Sequence, residues 1–269
     1  MAFFSFRWGL FLLLANQLIP SFLLAHLIDA VRVNAVTREE RAGKLVWVKR
    51  RKPLMDAVIA GGNIFLILSN SRIKMFPNCQ EWQEWELESY RLLYGQLQGG
   101  LERRGFWIED LPGQVLLKIL SDGNLSIPML RAAALEFRRA HSLFCPKLQD
   151  YWSHGDPHLS NVLYDSQTNS AALIDFETKH QQSLTAQDRH ADDLLVFILD
   201  LLGRVPSANW PQFGVEFLTT YGRYDVLQRV KQRLGVPQGL ERVLWATRTD
   251  YLPTRELEGR LKSLRQSPI

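Results

Sequence analysis

The most informative stretch of the sequence is SHGDPHLSNVLYDSQTNSAALIDFE, which spans residues 153–177. Asp156 is followed five residues later by Asn161 and a further fourteen residues later by Asp175. The runs VLYD and AALID have the apolar, β-branched character of strands, and the polar segment SQTNS between them is typical of a turn. We therefore expect a β-hairpin that brings Asn161 and Asp175 together at one end.

These three side chains have the chemistry of a phosphotransfer site. Transfer of a γ-phosphoryl group needs metal ions on the triphosphate, a cation on the α and β phosphates, and a carboxylate that orients the acceptor hydroxyl. Because Mg²⁺ prefers oxygen ligands, Asn161 and Asp175 are suitable metal ligands. Asp156 is then left to face the acceptor.

The same stretch carries a family resemblance. HGDPHLSNVLYD followed by LIDFE resembles the catalytic and metal-binding loops of the protein-kinase-like superfamily, in the form HGDxHxxN found in aminoglycoside phosphotransferases and lipopolysaccharide (Kdo and heptose) kinases. The resemblance is specific over residues 153–177 and looser from about 31 to 204. It implies a bilobal α+β fold with a small β-rich N-lobe and a larger helical C-lobe, ATP and Mg²⁺ as cofactors, Asp156 as the catalytic residue, and Asn161 and Asp175 as metal ligands.

Other site residues follow only from the resemblance. Glu109 to Leu111 resembles the hinge that contacts adenine, and Asp193 resembles a structural aspartate that supports the catalytic loop. The family also pairs a strand lysine with a helix glutamate. Lys49, at the end of KLVWVK, and Lys74, in SRIKMF, are both candidates, and we favour Lys49 because its strand is better formed.

The glutamate partner is predicted from a helix pattern in residues 79–97. Trp82, Trp85, Ser89, Tyr90, Leu92 and Leu93 share one face of that helix, and Glu86 falls inside the same face. A carboxylate on an apolar face is costly to bury without a partner. Glu86 therefore predicts a basic partner in the interior, and we assign it to the lysine pair.

Two departures from the family pattern leave alternatives open. DFE stands where DFG is found in protein kinases, and the turn before Lys49 has only Gly43 where a Gly-rich phosphate loop would lie. A non-catalytic binding protein on the same fold is one alternative. An atypical Ser/Thr protein kinase is another, although no peptide-substrate motif follows Asp175.

The rest of the chain reads as strands followed by helices. VRVNAV (31–36) and KLVWVKRR (44–51) predict a hairpin around the polar turn 37–43, and 106–120 predicts a strand, a turn and a short helix. Helices are predicted at 131–144, at 189–204 and in several amphipathic segments after Trp210, while the apolar residues 54–68 fit either a strand or a helix. We expect an apolar segment at 1–29, an N-lobe at 30–111 and a C-lobe at 112–269.

Composition and charge bear on partners. The formal net charge is +4, and the run Lys49 to Lys52 holds part of the excess, which suits either contact with phosphates or a solvated strand end. Cys79 and Cys145 lie far apart without metal-binding neighbours, so a reducing, cytoplasmic location is expected. We expect no nucleic-acid partner, and the acceptor implied by the resemblance is a sugar.

The N-terminal segment is the main uncertainty about location. Residues 8–28 contain no charged side chain, which is about the length of a membrane-spanning helix, but Asn16, Gln17, Pro20 and His26 interrupt it. An anchor at the inner face of the membrane and an apolar helix packed on the domain both remain open. The anchor would favour a lipid-linked sugar acceptor.

Overall fold

The computed structural model describes residues 33–206, 209–235, 238–248 and 254–267. The apolar residues 8–28, with their two alternative roles, lie outside the described residues. Within the described ranges, no helix is both long enough and apolar enough to cross a membrane.

Strands dominate the first part of the described chain and helices the last. In chain order the strands are β1 (Asn34–Arg41), β2 (Lys44–Arg51), β3 (Ile73–Met75), β4 (Gly99–Glu102), β5 (Gly105–Glu109), β6 (Gln114–Val115), β7 (Phe144–Cys145), β8 (Asp150–Tyr151), β9 (Val162–Asp165), β10 (Ser170–Leu173) and β11 (Thr178–His180). The helices are α1 (Met55–Leu68), α2 (Cys79–Tyr94), α3 (Leu116–Ser121), α4 (Ile127–Ala140), α5 (Ala186–Arg204), α6 (Trp210–Tyr221), α7 (Tyr224–Arg233), α8 (Gly239–Arg248) and α9 (Thr254–Gln266).

The N-terminal part is an antiparallel sheet in the order β1-β2-β5-β4. The predicted hairpin is confirmed, with Ala42 and Gly43 both at positive φ in its tight turn. The predicted turn at 37–43 is too long, however, because residues 37–41 continue β1. In the edge strand β1, Glu39 pairs with Arg50 and Arg41 pairs with Glu102 of the same sheet, so β1 tolerates a charged sequence.

The basic run at the end of β2 divides between the two faces of the sheet. Lys49 and Arg51 are buried, whereas Arg50 and Lys52 are partly exposed, as the two-residue period of a strand requires. Arg51 donates to the carbonyl oxygen of Phe76 at 2.8 Å and lies 4.5 Å from the ring centroid of Trp82. The run is therefore neither a solvated strand end nor a continuous phosphate-binding patch.

Residues 55–68, which the sequence left undecided, form helix α1. Together with β3 it makes an insertion between β2 and α2. Strand β3 leaves this insertion to pair antiparallel with β11, so that Met75 lies opposite Thr178 and Ile73 opposite His180. The segment that follows Asp175 is thereby tied to the insertion.

Helix α2 packs against the sheet through the face predicted from its sequence. Asn78 caps its first turn by accepting from the backbone N–H groups of Gln80 and Glu81. Trp82 packs edge-on against Phe106 of β5, with ring centroids 5.6 Å apart. Glu86 is completely buried on the same face, which places its carboxylate between the sheet and the segment that follows β10.

The C-terminal part is built around α5, which is buried along almost its entire length. Phe137 of α4, Phe197 of α5 and Phe217 of α6 form a compact aromatic cluster. The hairpin predicted within residues 153–177 is present as β9 and β10, with Val162 opposite Leu173. Asn161 directly precedes the hairpin and Asp175 lies two residues beyond its end, as the pattern indicated.

Candidate active site

Lys49 lies at the centre of a buried cluster of carboxylates. Its Nζ is 2.6 Å from Oε1 of Glu86 and 2.7 Å from Oε1 of Glu177, and it also contacts the carboxylate of Asp175. Lys74 is exposed on β3, opposite Lys179 of β11. The structure therefore pairs Glu86 with Lys49, and the predicted basic partner of Glu86 is confirmed.

The cluster carries more negative than positive charge. Burial opposes protonation of Lys49, but the carboxylates of Asp175, Glu177 and Glu86 outweigh it and raise the pKa of Lys49 well above its ordinary value. Burial also raises the pKa of Glu86 to about 7, with Lys49 acting in the opposite direction. Carboxylate oxygens of the three acidic residues lie within 4.8 Å of one another, so the site favours an additional cation.

Asp193 of α5 fixes the backbone of the loop at residues 153–161, where the sequence predicts the catalytic residue. The carboxylate of Asp193 accepts hydrogen bonds from the backbone N–H groups of His154 and Gly155, both at 2.8 Å. Gly155 has a φ of 94°, and a Cβ there would lie 2.6 Å from Oγ1 of Thr178. Glycine is therefore required at this position by both backbone conformation and space.

Asp156 and Asn161 lie next to each other at the end of this loop. The side-chain Nδ2 of Asn161 donates to the backbone carbonyl of Asp156 at 2.9 Å, and Ile174 N–H donates to the carbonyl of Asn161 at 2.9 Å. These bonds place Asn161 beside the residue that precedes Asp175. Asp156 itself is 9% exposed, with Nε2 of His158 3.8 Å from its Oδ2.

The side-chain oxygen atoms of Asn161 and Asp175 suit a magnesium ion. Oδ1 of Asn161 is buried without a hydrogen-bond partner, which is costly unless a ligand satisfies it. Asp175 has a φ of 71°, an uncommon conformation for a non-glycine residue, and its N–H donates to the hydroxyl of Tyr90 at 3.1 Å. Amide and carboxylate oxygens are the ligands that Mg²⁺ prefers.

A cavity of about 260 Å³ lies beside Asp175, between the sheet and the helical part. Lys49 and Asp175 line it, and both side chains are buried. Leu111, predicted in the hinge, lines it, whereas the side chain of Glu109 is 2.9 Å from Nζ of exposed Lys44 and does not line the cavity. The other lining residues are Val36, Arg38, Trp47, Tyr90, Phe106, Ile108, Asp110, Pro112, Gly113, Val115, Leu163 and Ile174.

Several site residues were missed from the sequence. Glu177 reaches both Lys49 and Nδ2 of Asn34, the latter at 2.6 Å; the signal was the glutamate in DFE, to which we gave no role. Arg38 and Trp47 both contact the carboxylate of Asp110 at the cavity wall. The alternation of Val36 and Arg38 along β1 placed both on one face, but only strand pairing shows that this face covers a cavity.

A buried histidine network lies next to the loop of residues 153–161. His141 and His190 stack with ring centroids 4.0 Å apart, and His141 also contacts Asp193 and the hydroxyl of Tyr221. Nδ1 of His154 accepts from Asp156 N–H, while its Nε2 contacts the carbonyl of Ile174. Both nitrogens of neutral His154 are thus satisfied.

This network predicts acid sensitivity. Burial lowers the pKa of His154 from its ordinary 6.5 to about 4 and lowers those of His141 and His190 as well. The unfolded chain therefore binds more protons below pH 6.5, and stability is full above that pH and lost as the pH falls. We expect the free energy of unfolding to drop by about 1.4 kcal/mol per pH unit for each histidine.

Denaturant titrations at pH 7.5, 6.0 and 5.0 measure this slope. In His154→Gln, which keeps a donor toward the carbonyl of Ile174, we expect the slope to be shallower by the contribution of one histidine. A free energy of unfolding that is flat from pH 7 to pH 5 in the unmodified chain would contradict the assignment of neutral, buried histidines.

Comparison with known proteins gives matches among solved structures alone. No protein-family model and no curated sequence matches the chain. The bifunctional kinase-methyltransferase WbdD is 16% identical over 87% of this chain and 47% of its own length, with a TM-score of 0.42. The chain therefore spans about half the length of that protein.

Two further matches cover most of both chains. An ethanolamine kinase from Plasmodium vivax is 9% identical over 95% of this chain and 82% of its own, with a TM-score of 0.40. The streptomycin-ATP ternary complex of the aminoglycoside phosphotransferase APH(2″)-IIa is 12% identical over 93% and 97%, with a TM-score of 0.42. All three matched proteins belong to the protein-kinase-like superfamily.

The TM-scores of these matches are low, so we describe the fold from the strand order and contacts of the chain itself. The antiparallel sheet, the buried pair of Lys49 and Glu86, and the loop supported by Asp193 agree with the features that the sequence resemblance implied. The α+β class predicted from the sequence, with a β-rich N-terminal part followed by helices, is confirmed.

Proposed function

We propose that the chain is an ATP- and Mg²⁺-dependent phosphotransferase that acts on a hydroxyl group of a sugar or lipid-linked sugar. The observation that carries the proposal is that Lys49 and Asp175 line one cavity in mutual contact, while the loop that bears Asp156 and Asn161 is hydrogen-bonded to the residue before Asp175. Lysine, carboxylate and amide oxygen are the groups that phosphoryl transfer requires. The sugar acceptor rests on the HGDxHxxN form of the loop.

Each residue has a defined task in this proposal. When bound, Mg²⁺ neutralises charge on the triphosphate, and Asn161 and Asp175 would hold it. Lys49, oriented by Glu86, contacts the α and β phosphates, while Leu111 and its apolar neighbours in the cavity contact the base. Asp156 accepts a hydrogen bond from the acceptor hydroxyl and orients it toward the γ phosphate.

Nucleotide binding and turnover are tested separately. We expect ATP with Mg²⁺ to raise the melting temperature of the purified chain, and expect ATP consumption to increase when the correct acceptor is added. The screen should contain free sugars, lipid-linked sugars and peptides. Phosphoryl transfer to peptides alone would contradict the sugar-kinase proposal and indicate an atypical Ser/Thr protein kinase.

The two candidate lysines provide a matched pair of variants. We expect Lys49→Met to abolish most of the ATP-induced rise in melting temperature, whereas Lys74→Met, at an exposed position of β3, should retain it. Lys49→Met also leaves buried carboxylates without their partner and lowers stability. The ATP-induced shift is therefore compared within each variant, and equal shifts in both variants would exclude Lys49 as the phosphate ligand.

A second candidate function is a non-catalytic binding protein on the same fold. Two observations favour it: Lys49 is engaged by three carboxylates, one of them from Glu177, and the turn between β1 and β2 contains a single glycine. This candidate predicts no stabilisation by ATP and Mg²⁺. A clear rise in melting temperature with that pair would exclude it.

A further inference from the structure

Helix α1 exposes a continuous apolar surface. Exposed residues recur at the helical spacing i, i+3, i+4 and i+7, and all of them are apolar or glycine. Ile64, Ile67 and Leu68 are 60%, 70% and 67% exposed. We call this surface the α1 stripe; it comprises Ala57, Ala60, Gly61, Ile64, Ile67 and Leu68.

The opposite face of α1 attaches the helix to the domain. Ile59 and Leu66 are buried in a small apolar cluster with Met75 and Val33. The helix is thus anchored by one face, and its orientation fixes the α1 stripe toward the outside. Asp56 is the only charged residue in α1, so the stripe has no charged side chain that would keep it in water.

Basic residues lie at the N-terminal end of the same helix. Arg104, in the turn between β4 and β5, donates to the carbonyl of Lys52 at 3.4 Å and to Asp56 at 3.2 Å. Arg103, next to it, is exposed. An apolar helix face with adjacent cations matches the two components of an anionic membrane surface, acyl chains and phosphate headgroups.

The described part of the chain begins next to this helix. Val33, the first described residue, lies in the cluster with Ile59 and Leu66, and its carbonyl accepts from Lys52 N–H at 3.0 Å. Residues 8–28 are apolar at most positions rather than along one face. If residues 8–28 contacted only the α1 stripe, many of their own apolar side chains would stay in water. A lipid bilayer can take up the apolar side chains of residues 8–28 and of the α1 stripe together.

We propose that the α1 stripe is a membrane-docking surface that inserts into the headgroup region of an anionic lipid bilayer, with Arg103 and Arg104 against the lipid phosphates. The proposal concerns the location of the chain and does not depend on phosphotransfer.

A polarity-sensitive dye on the full chain tests the proposal. Ile67→Cys is labelled in a background carrying Cys79→Ser and Cys145→Ala, and Leu135→Cys, at a position on α4 that is 54% exposed, is the matched control. We expect vesicles with anionic phosphatidylglycerol to shift dye emission at position 67 to the blue and to leave position 135 unchanged.

A charge variant tests the basic component. In Arg103→Glu, labelled at position 67, we expect the lipid concentration for half of the response to rise about tenfold. Hydrogen exchange on the unlabelled chain gives an independent readout, because insertion should slow exchange in residues 55–68 when vesicles are present. Unchanged exchange in these residues would overturn the proposal even if labelling disturbed the helix.

Other occupants of the stripe give different results. Blue emission at position 67 without vesicles, at all protein concentrations, would show that residues 8–28 cover the stripe. Emission that shifts with protein concentration alone would show a second copy of the chain, and no response to vesicles would show a stripe that stays in water. Each of these results overturns the membrane proposal.

Discussion

Asp156→Asn is expected to reduce phosphoryl transfer by about 10²- to 10⁴-fold while the protein remains folded. The amide is nearly the same size as the carboxylate but cannot accept a proton from the acceptor hydroxyl. The backbone carbonyl of Asp156, which Asn161 uses, is unaffected by the substitution. Initial rates of ATP consumption with a productive acceptor measure the loss.

A control for this variant lies on the same hairpin. Asp165, at the far end of β9, accepts hydrogen bonds from Gln167 N–H and the hydroxyl of Thr168 in the exposed turn. We expect Asp165→Asn to retain full turnover. If Asp156→Asn also retains it, Asp156 is not the catalytic residue and the proposed function loses its base. An unchanged ATP-induced melting shift in Asp156→Asn would show that nucleotide binding is separate from this step.

Asp193→Ala is expected to have the largest effect on stability. Asp193 is completely buried and accepts from the N–H groups of His154 and Gly155. Removing its carboxylate leaves two buried donors unsatisfied, at about 1–3 kcal/mol each, so the free energy of unfolding should fall by roughly 2–6 kcal/mol. Denaturant unfolding at neutral pH measures this change.

Two comparisons separate the role of Asp193 from a general effect of mutating α5. Asp193→Asn retains one acceptor oxygen and should lose less stability than the alanine variant. Asp188→Ala, in the first turn of the same helix, removes contacts with Arg229 and with the hydroxyl of Thr185 at a partly exposed site and should cost about 1 kcal/mol. Equal losses in Asp193→Ala and Asp188→Ala would contradict the support of the catalytic loop by Asp193.

Sequence patterns were informative where the determining contacts are local. The hairpin of β9 and β10 follows from two apolar runs and a short turn, and it brings Asn161 next to Ile174, the residue before Asp175. The basic partner of Glu86 was also predictable, because a carboxylate inside an apolar helix face needs a buried cation. The choice between Lys49 and Lys74 needed tertiary structure, since both lie on strands upstream of the same helix.

What the sequence did not predict depends on contacts between distant residues. The helical state of residues 55–68 was undecided because apolar residues occur on both faces, one packed on the domain and the other exposed. The neutral histidine network joins α4, α5 and the catalytic loop. The place of Glu177 beside Lys49 depends on the backbone at Asp175, which turns through a left-handed conformation that no local pattern shows.

The pairing of β3 with β11 restricts how the cleft opens. Gln181 N–H adds a hydrogen bond to the carbonyl of Arg72, which extends the ladder between the insertion and the segment after Asp175. Helix α2 is tied to the same region through the hydroxyl of Tyr94, which donates to the carbonyl of Leu173. Separation of α2 from the helical part as rigid bodies would therefore have to break both connections.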